Sequence, residues 1–295
     1  MLAQLFAVMA PVLLAAGIGY AWARSGHDYP TEFVTRLVLN IGTPCLVLTT
    51  LSRAEHDPAA FSQMALAVLL VTLGMGLLGL LFSRLSGLDW RALVPAFLFP
   101  NVGNMGLPVS LYAFGEQGLA FAVAIFLVLS VGHFSVGLFL SGAERSPRRL
   151  WANPIMLSLL LAVPMLMFQW QLPLWLANSL NLLAGLTIPL MLLTLGVALA
   201  SIRPQHLGRG FALGGLRLLA GTTLGWLIGR WLELPPLAHG VLVVQSAMPV
   251  AVFNYLFALK ANRAPQEVAS LVFCSTLLAF VWLPVLLWWW LPALQ

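Results

Sequence analysis

Ten stretches of predominantly apolar residues follow one another along this chain, at roughly 2–23, 31–51, 59–83, 92–114, 119–141, 152–169, 174–200, 208–230, 236–259 and 267–291. A helix that crosses the hydrocarbon core of a bilayer needs about 20 such residues. Hydrocarbon also accepts only backbones that close their hydrogen bonds internally. The pattern therefore predicts an all-α polytopic membrane protein with ten transmembrane helices. Composition agrees, with 61% of the 295 residues hydrophobic and 8% charged, against roughly a quarter charged in soluble domains. The links are short, and the longest polar one, SGAERSPRRLWAN at 141–153, divides the spans into two groups of five. The N-terminal MLAQLFAVMAPVLLAAGIGYAWARSG lacks a basic leader and reads as a first span rather than a cleaved signal. Cys45 and Cys274 stand alone in apolar segments and read as buried thiols.

The two halves resemble each other. Pro11 and Pro30 lie 19 residues apart, as do Pro154 and Pro173, at an offset of 143. NIGTPCLVLTTL matches GLTIPLMLLTLG through Pro44 and Pro189, and Gly79 and Arg84 match Gly225 and Arg230. GLPVSLYAF, with Pro108, matches AMPVAVFNYLF, with Pro249, at an offset of 141. Ordered matches at nearly constant offset point to a duplicated five-helix unit. A unit with an odd number of spans ends on the side opposite its start, so the second copy runs upside down, the inverted-repeat architecture of secondary transporters. The expected organisation is a first repeat over 1–141, a cytoplasmic link over 142–151 and an inverted second repeat over 152–295.

Basic residues orient the chain. The side that carries links 24–30, 84–91, 142–151, 201–207 and 260–266 holds twelve Lys and Arg, counting Arg36 and Arg217. The other side, with both termini, holds Arg53 and Arg230. The positive-inside rule places the basic side in the cytoplasm and both termini outside a plasma membrane. The net charge of +5 is thus a matter of loop placement and marks no nucleic-acid surface. Arg36 and Arg217 lie several residues into their spans. Snorkelling to the interface is the ordinary reading, and contact with an anion on the cytoplasmic route is the alternative.

The stretch FPNVGNMGLPVS at 99–110 interrupts span four. Pro100 and Pro108 each remove a backbone donor, while Gly103 and Gly106 permit unusual dihedrals or close approach. Carbonyls freed by such a break persist only where protein or water satisfies them. Asn101 and Asn104 bring amide side chains to the same depth. Span nine carries a second break around Pro249 in VLVVQSAMPVAVFNYLF, flanked by Gln245, Ser246, Met248 and Asn254. Two half-helices that start near Pro108 and Pro249 and approach from opposite sides would aim unpaired N–H groups and positive dipole ends at one place. Such a place suits a carboxylate without any fixed cation.

All nine acidic residues lie at links or span ends, so the usual carboxylate of a proton relay or sodium cage is missing from the spans. His133 is the ionisable group well inside a span, and a helix–helix hydrogen bond is its ordinary role. If transport is proton-coupled, His133 is the candidate, with Asn40 as a further polar contact. No cofactor and no metal site are implied.

PNVGNMGLPVSLYAFG in span four, Asn153–Pro154 opening span six, and AMPVA in span nine resemble the auxin efflux carrier family, which includes bacterial malate and malonate permeases and plant auxin exporters. The resemblance implies two inverted five-helix repeats with broken crossover helices four and nine, a fold like that of bile-acid transporters and sodium–proton antiporters. It also implies a scaffold of helices 1, 2, 6 and 7, a transport domain of helices 3–5 and 8–10, an elevator motion and, in some members, a homodimer through the scaffold. The family's crossover asparagine and proline map onto Asn104 and Pro108, and its second crossover proline onto Pro249. Plant members carry a long loop between spans five and six; here that link is about a dozen residues, as in bacterial members.

The function expected is secondary transport of small organic anions, by potential-driven efflux. A sodium- or proton-coupled importer is the nearest rival. An intramembrane hydrolase using Ser130 or Ser135 with His133 lacks a nucleophile turn and is set aside.

Overall fold

A computed structural model describes residues 2–54, 58–141, 154–168, 170 and 172–290. The 142–151 link with Arg145, Arg148 and Arg149, as well as Asn153, Glu55 and Asp57, lies outside the described residues. The described chain is helical. It runs through α1 (Leu2–Arg24), α2 (Thr31–Leu37), α3 (Thr43–Ser52), α4 (Pro58–Ser86), α5 (Trp90–Leu98), α6 (Leu107–Gly132) and α7 (Leu138–Ser141) in its first half. The second half comprises α8 (Pro154–Phe168), α9 (Leu174–Ala184), α10 (Thr187–Ser201), α11 (Leu207–Trp231), α12 (Pro236–Ser246), α13 (Val252–Lys260) and α14 (Pro265–Trp290).

Among the described residues, seven helical segments are long and apolar enough to cross a membrane unaided: 2–24, 31–52, 58–86, 102–137, 174–201, 207–231 and 265–290. α5, α12 and α13 are too short alone, because they flank breaks. The 36-residue segment 102–137 would reach about 54 Å if straight, far beyond a hydrocarbon core of about 30 Å. Gly115, with φ +68° and ψ −165°, divides it, since a left-handed residue ends helical propagation and glycine takes that conformation without steric cost. The expected link at 115–118 is thus a single non-helical glycine.

Proline chemistry explains most local features. α4, α8, α12 and α14 begin on proline, where the missing N–H costs nothing. Two π-helical turns, Val38–Gly42 and Val102–Gly106, precede Pro44 and Pro108. Both read Asn-x-Gly-x-Pro, as NIGTP and NMGLP. A proline ring clashes with the carbonyl four residues earlier, here that of Asn40 or Asn104. A wider turn shifts the register by one residue and relieves that clash. Pro108 therefore sits in the first turn of α6, and the true interruption lies upstream at 99–101. The expected start near Pro108 is displaced for this reason.

Helix pairs approach closely where glycines face backbone. α1 packs on α10, and an added Cβ at Gly19 would run into the Leu193 backbone, one at Gly196 into Ala16 and Tyr20. α11 packs on α14 through Gly210 and Gly214, and on the end of α12 through Gly221 and Gly225. Small residues give such intimacy where lipid supplies no hydrophobic drive between helices. α3 packs on α8 and α9, whereas α4, α5, α6, α11, α12 and α14 pack largely on one another. The outer faces are apolar: Leu66, Leu69, Leu73 and Leu77 form an exposed stripe along α4, as lipid contact requires.

Gly196→Leu should lower the thermal unfolding midpoint of detergent-purified protein, with a cost of at least 1–3 kcal/mol, roughly, from overpacking. Gly17→Leu, two residues from the same interface with open space around it, should leave the midpoint unchanged.

Candidate functional site

The two breaks lie against each other and satisfy each other. Asn101 N donates to Pro249 O at 2.7 Å, and Ala251 N donates to Phe99 O at 3.2 Å. This reciprocal pair forms the isolated antiparallel bridge Pro100–Val250. Val250 N donates to Ser275 Oγ at 3.1 Å. Phe99 O accepts a further bond from Asn254 Nδ2 at 3.0 Å. Asn101 O accepts from Met105 N and Gly106 N at 3.4 and 3.1 Å, opening the π turn. Backbone groups that a break would strand in hydrocarbon are thereby paired.

The pairing sets two helix beginnings side by side. The π turn starts at Val102 and α13 at Val252, and neither receives a side-chain cap. Val102, Gly103, Asn104, Ala251 and Phe253 line one small cavity of about 40 Å³, together with Asn101 and His133. Asn101 is 4% exposed, and its Nδ2 has no hydrogen-bond partner. An unpaired buried amide donor costs about 1–3 kcal/mol, so this cavity carries an unmet demand for an acceptor. Asn104 also lines a larger neighbouring cavity of about 230 Å³ with Thr31, Thr35, Met191, Thr194 and Tyr255. Gly103 keeps the floor open, since a Cβ there would come within 3.1 Å of Phe126.

One wall is aromatic. His133 opens a third π turn, His133–Gly137, and stacks on Phe99 with centroids 4.4 Å apart. Its Nε2 lies 3.0 Å from Asn254 Oδ1. Asn254 therefore ties α6 to the first break and to α13 through one amide. Phe134, Phe253 and Phe257 complete the cluster.

Other residues singled out in the sequence stand behind the breaks. Gln245 Nε2 donates to Ser110 Oγ at 3.0 Å. Its carboxamide presses on Gly106, where any Cβ would collide with it. Ser246 and Met248 contribute backbone carbonyls, both accepting from Arg217 Nη1. Arg217 therefore neither snorkels nor reaches the cavity: it is 1% exposed at the middle of α11. Arg36 is exposed and pairs with Glu32 one turn away. Asn40 lies exposed on its π turn, and the described cavities are lined by its neighbours Val38 and Leu39 instead.

A second large cavity, of about 380 Å³, is lined by Arg53, Leu111, Glu116, Asn181 and Pro189 among others. Asn104 lines one large cavity and Leu111 the other, a separation of about 10 Å along a helix. Met105, Val109, Ile188 and Leu192, all buried, occupy the ground between. The hydroxyl lining escaped the sequence reading. Thr31 and Thr35, and Thr194 and Ser201, recur at helical spacing, a polar stripe that periodicity alone could have flagged.

Known proteins resemble this chain over nearly its whole length. The profile of a family described as membrane transport protein matches residues 4–141 and 138–287. An uncharacterized transporter of Methanothermobacter thermautotrophicus is 31% identical over 288 residues, covering 93% of this chain and 94% of that protein. The uncharacterized transporter MJ1031 of Methanocaldococcus jannaschii is 25% identical over 301 residues, covering 95% and 96%.

Asn254→Ala should cost about 1–3 kcal/mol in thermal unfolding, because it leaves the Phe99 carbonyl one donor short and His133 without its partner. The same substitution in a His133→Ala background should cost less, and strictly additive losses would show that the two side chains are not coupled.

Proposed function

Because this chain belongs to the auxin efflux carrier family of membrane transport proteins, we propose that it carries organic anions across the membrane and binds their carboxylate at the paired breaks. The observation that carries this reading is the buried, unpartnered Nδ2 of Asn101 beside two uncapped helix beginnings in one cavity. Helix N-termini favour anions through free N–H groups and dipole ends. Asn101 and Asn104 are the side-chain donors of this site. The amides at Gly103 and Val252–Phe253 frame it, and Pro108, Gly106 and Pro249 hold the backbone in place. Gln245, Ser246, Met248 and Asn254 support it from behind.

The body of the substrate occupies the 230 Å³ cavity. Its lining is apolar apart from Asn104 and a few hydroxyls, with no basic side chain. A second carboxylate would lose its water there without gaining a counter-charge. The lining therefore favours a monocarboxylate with an apolar or aromatic body over a dicarboxylate.

Thr31, Ser201 and Ile202 of this cavity adjoin the basic, cytoplasmic links. Arg53 and Glu116 of the opposite cavity adjoin the outer ones. The reading is an inward-facing carrier with both termini outside a plasma membrane. Its ten crossings are 2–24, 31–52, 58–86, 90–114, 116–141, 154–168, 174–201, 207–231, 236–260 and 265–290, with the fourth and ninth broken. The antiparallel, reciprocal pairing of the breaks supports two inverted repeats. In this arrangement the elements from 58–141 and 207–290 slide as a transport domain against a scaffold of 2–52 and 154–201, which is also the face for a homodimer. Moving one anion outward with an inside-negative potential gains about 2.3 kcal/mol per 100 mV, so export needs no coupled ion.

Proteoliposomes preloaded with a panel of radiolabelled mono- and dicarboxylates test this. Efflux should be greatest for monocarboxylates with apolar bodies. Asn101→Ala and Asn104→Ala should each weaken it by about 10–100-fold, the loss of one hydrogen bond to a charge, at normal expression. Undiminished flux in both variants would remove the site.

A further inference from the structure

Arg217 carries the most costly group in the described membrane interior. A guanidinium at the middle of a spanning helix demands partners. Among the described residues the ion pairs are Arg36–Glu32, His206 and Arg209 with Glu267, and Arg263–Asp89, all at helix ends. Arg217 has no carboxylate. It donates instead to the carbonyls of Ser246 and Met248, where α12 ends at the break. A third oxygen stands close by. Gln245 Oε1 is buried without a partner, as is Arg217 Nε. Gln245, Ser246 and Arg217 line one cavity of about 10 Å³, room for no more than a single water.

Freed carbonyls at the C-terminal end of a half-helix, with its negative dipole end, form the kind of oxygen-lined place where coupling cations bind in transporters with broken helices. Here that place is filled from within. We propose that Arg217 is a resident cation that substitutes for an alkali ion at the carbonyl end of the second break, making the transporter independent of sodium. A tethered cation cannot be released on either side, so it cannot couple its own gradient to transport. It does neutralise the carbonyl end of the break, leaving the amide ends as the dominant charge facing the substrate cavity. Arg217 is in this sense a positioning residue for the anion site, and its purpose rests on the carboxylate-transport reading above.

The test uses sodium ion alone as the probe. Thermal unfolding of purified protein is followed as sodium chloride replaces N-methylglucamine chloride at constant ionic strength. The wild type should be insensitive to the exchange. Arg217→Ser should unfold at lower temperature in N-methylglucamine and regain stability selectively with sodium, because three oxygens and a hydroxyl then surround an empty place. Arg217→Lys should remain sodium-insensitive. Selective stabilisation of the wild type or of Arg217→Lys by sodium would overturn the proposal. So would an Arg217→Ser protein that is as stable as the wild type or gains nothing from sodium. If Arg217→Ser yields no folded protein, the wild type and Arg217→Lys decide the matter: insensitivity of both supports the proposal, and a sodium response in either overturns it. A sodium response would leave the carboxylate site standing, since Asn101→Ala and Asn104→Ala test that separately.

Discussion

Two backbone hydrogen bonds, Asn101 N to Pro249 O and Ala251 N to Phe99 O, hold the centre of this molecule together. In hydrocarbon an unpaired peptide group costs several kcal/mol, so a helix can be interrupted only where something else satisfies its freed groups. Here each interruption satisfies the other. Neither could exist alone, and the exchange fixes both the depth at which the breaks meet and their antiparallel sense. Ser275, Asn254 and Arg217 then take up remaining polar groups around the crossing.

That solution has a polar consequence. A break has two kinds of end, and the structure treats them differently. The carbonyl end of α12 is met by a buried guanidinium. The helix beginnings at Val102 and Val252 receive no side-chain cap, and Val102, Gly103, Ala251 and Phe253 beside them line one cavity. The asymmetry gives the site a sign. On the reading proposed above, nothing in the spans has to hold a mobile cation, which accords with acidic residues standing only at links and span ends. Between the two large cavities, Met105, Val109, Ile188 and Leu192 are buried in one apolar cluster, and Ser110, held by Gln245, is buried on the same stretch of helix.

The breaks themselves were legible, because proline and glycine clusters in apolar segments have few physical meanings. Their location was legible only in part. Pro108 drew attention as the breaking residue, yet a π turn absorbs it at the start of α6, and Pro100 lies in the extended segment instead. The segment that meets Pro249 is accordingly Pro100–Asn101, upstream of Pro108, where the half-helix was expected to start. Arg217 was misread for a related reason: depth along a helix was visible, but its hydrogen-bonding partners lie 29 and 31 residues away in the chain.

The sequence by itself determined that the chain is a multi-pass helical membrane protein, which family it resembles, and which amides stand near the breaks. Those properties follow from local composition, since hydrophobic length, proline geometry and motif spacing act within a few turns of helix. Only the tertiary structure decided that the two breaks exchange hydrogen bonds, that Asn101 Nδ2 is buried without a partner, that Asn40 is exposed, and that a guanidinium closes the carbonyl end. Each of these depends on contacts between segments more than 25 residues apart, or on which face of a helix is covered, and pairing across such distances is set by packing rather than by any local pattern.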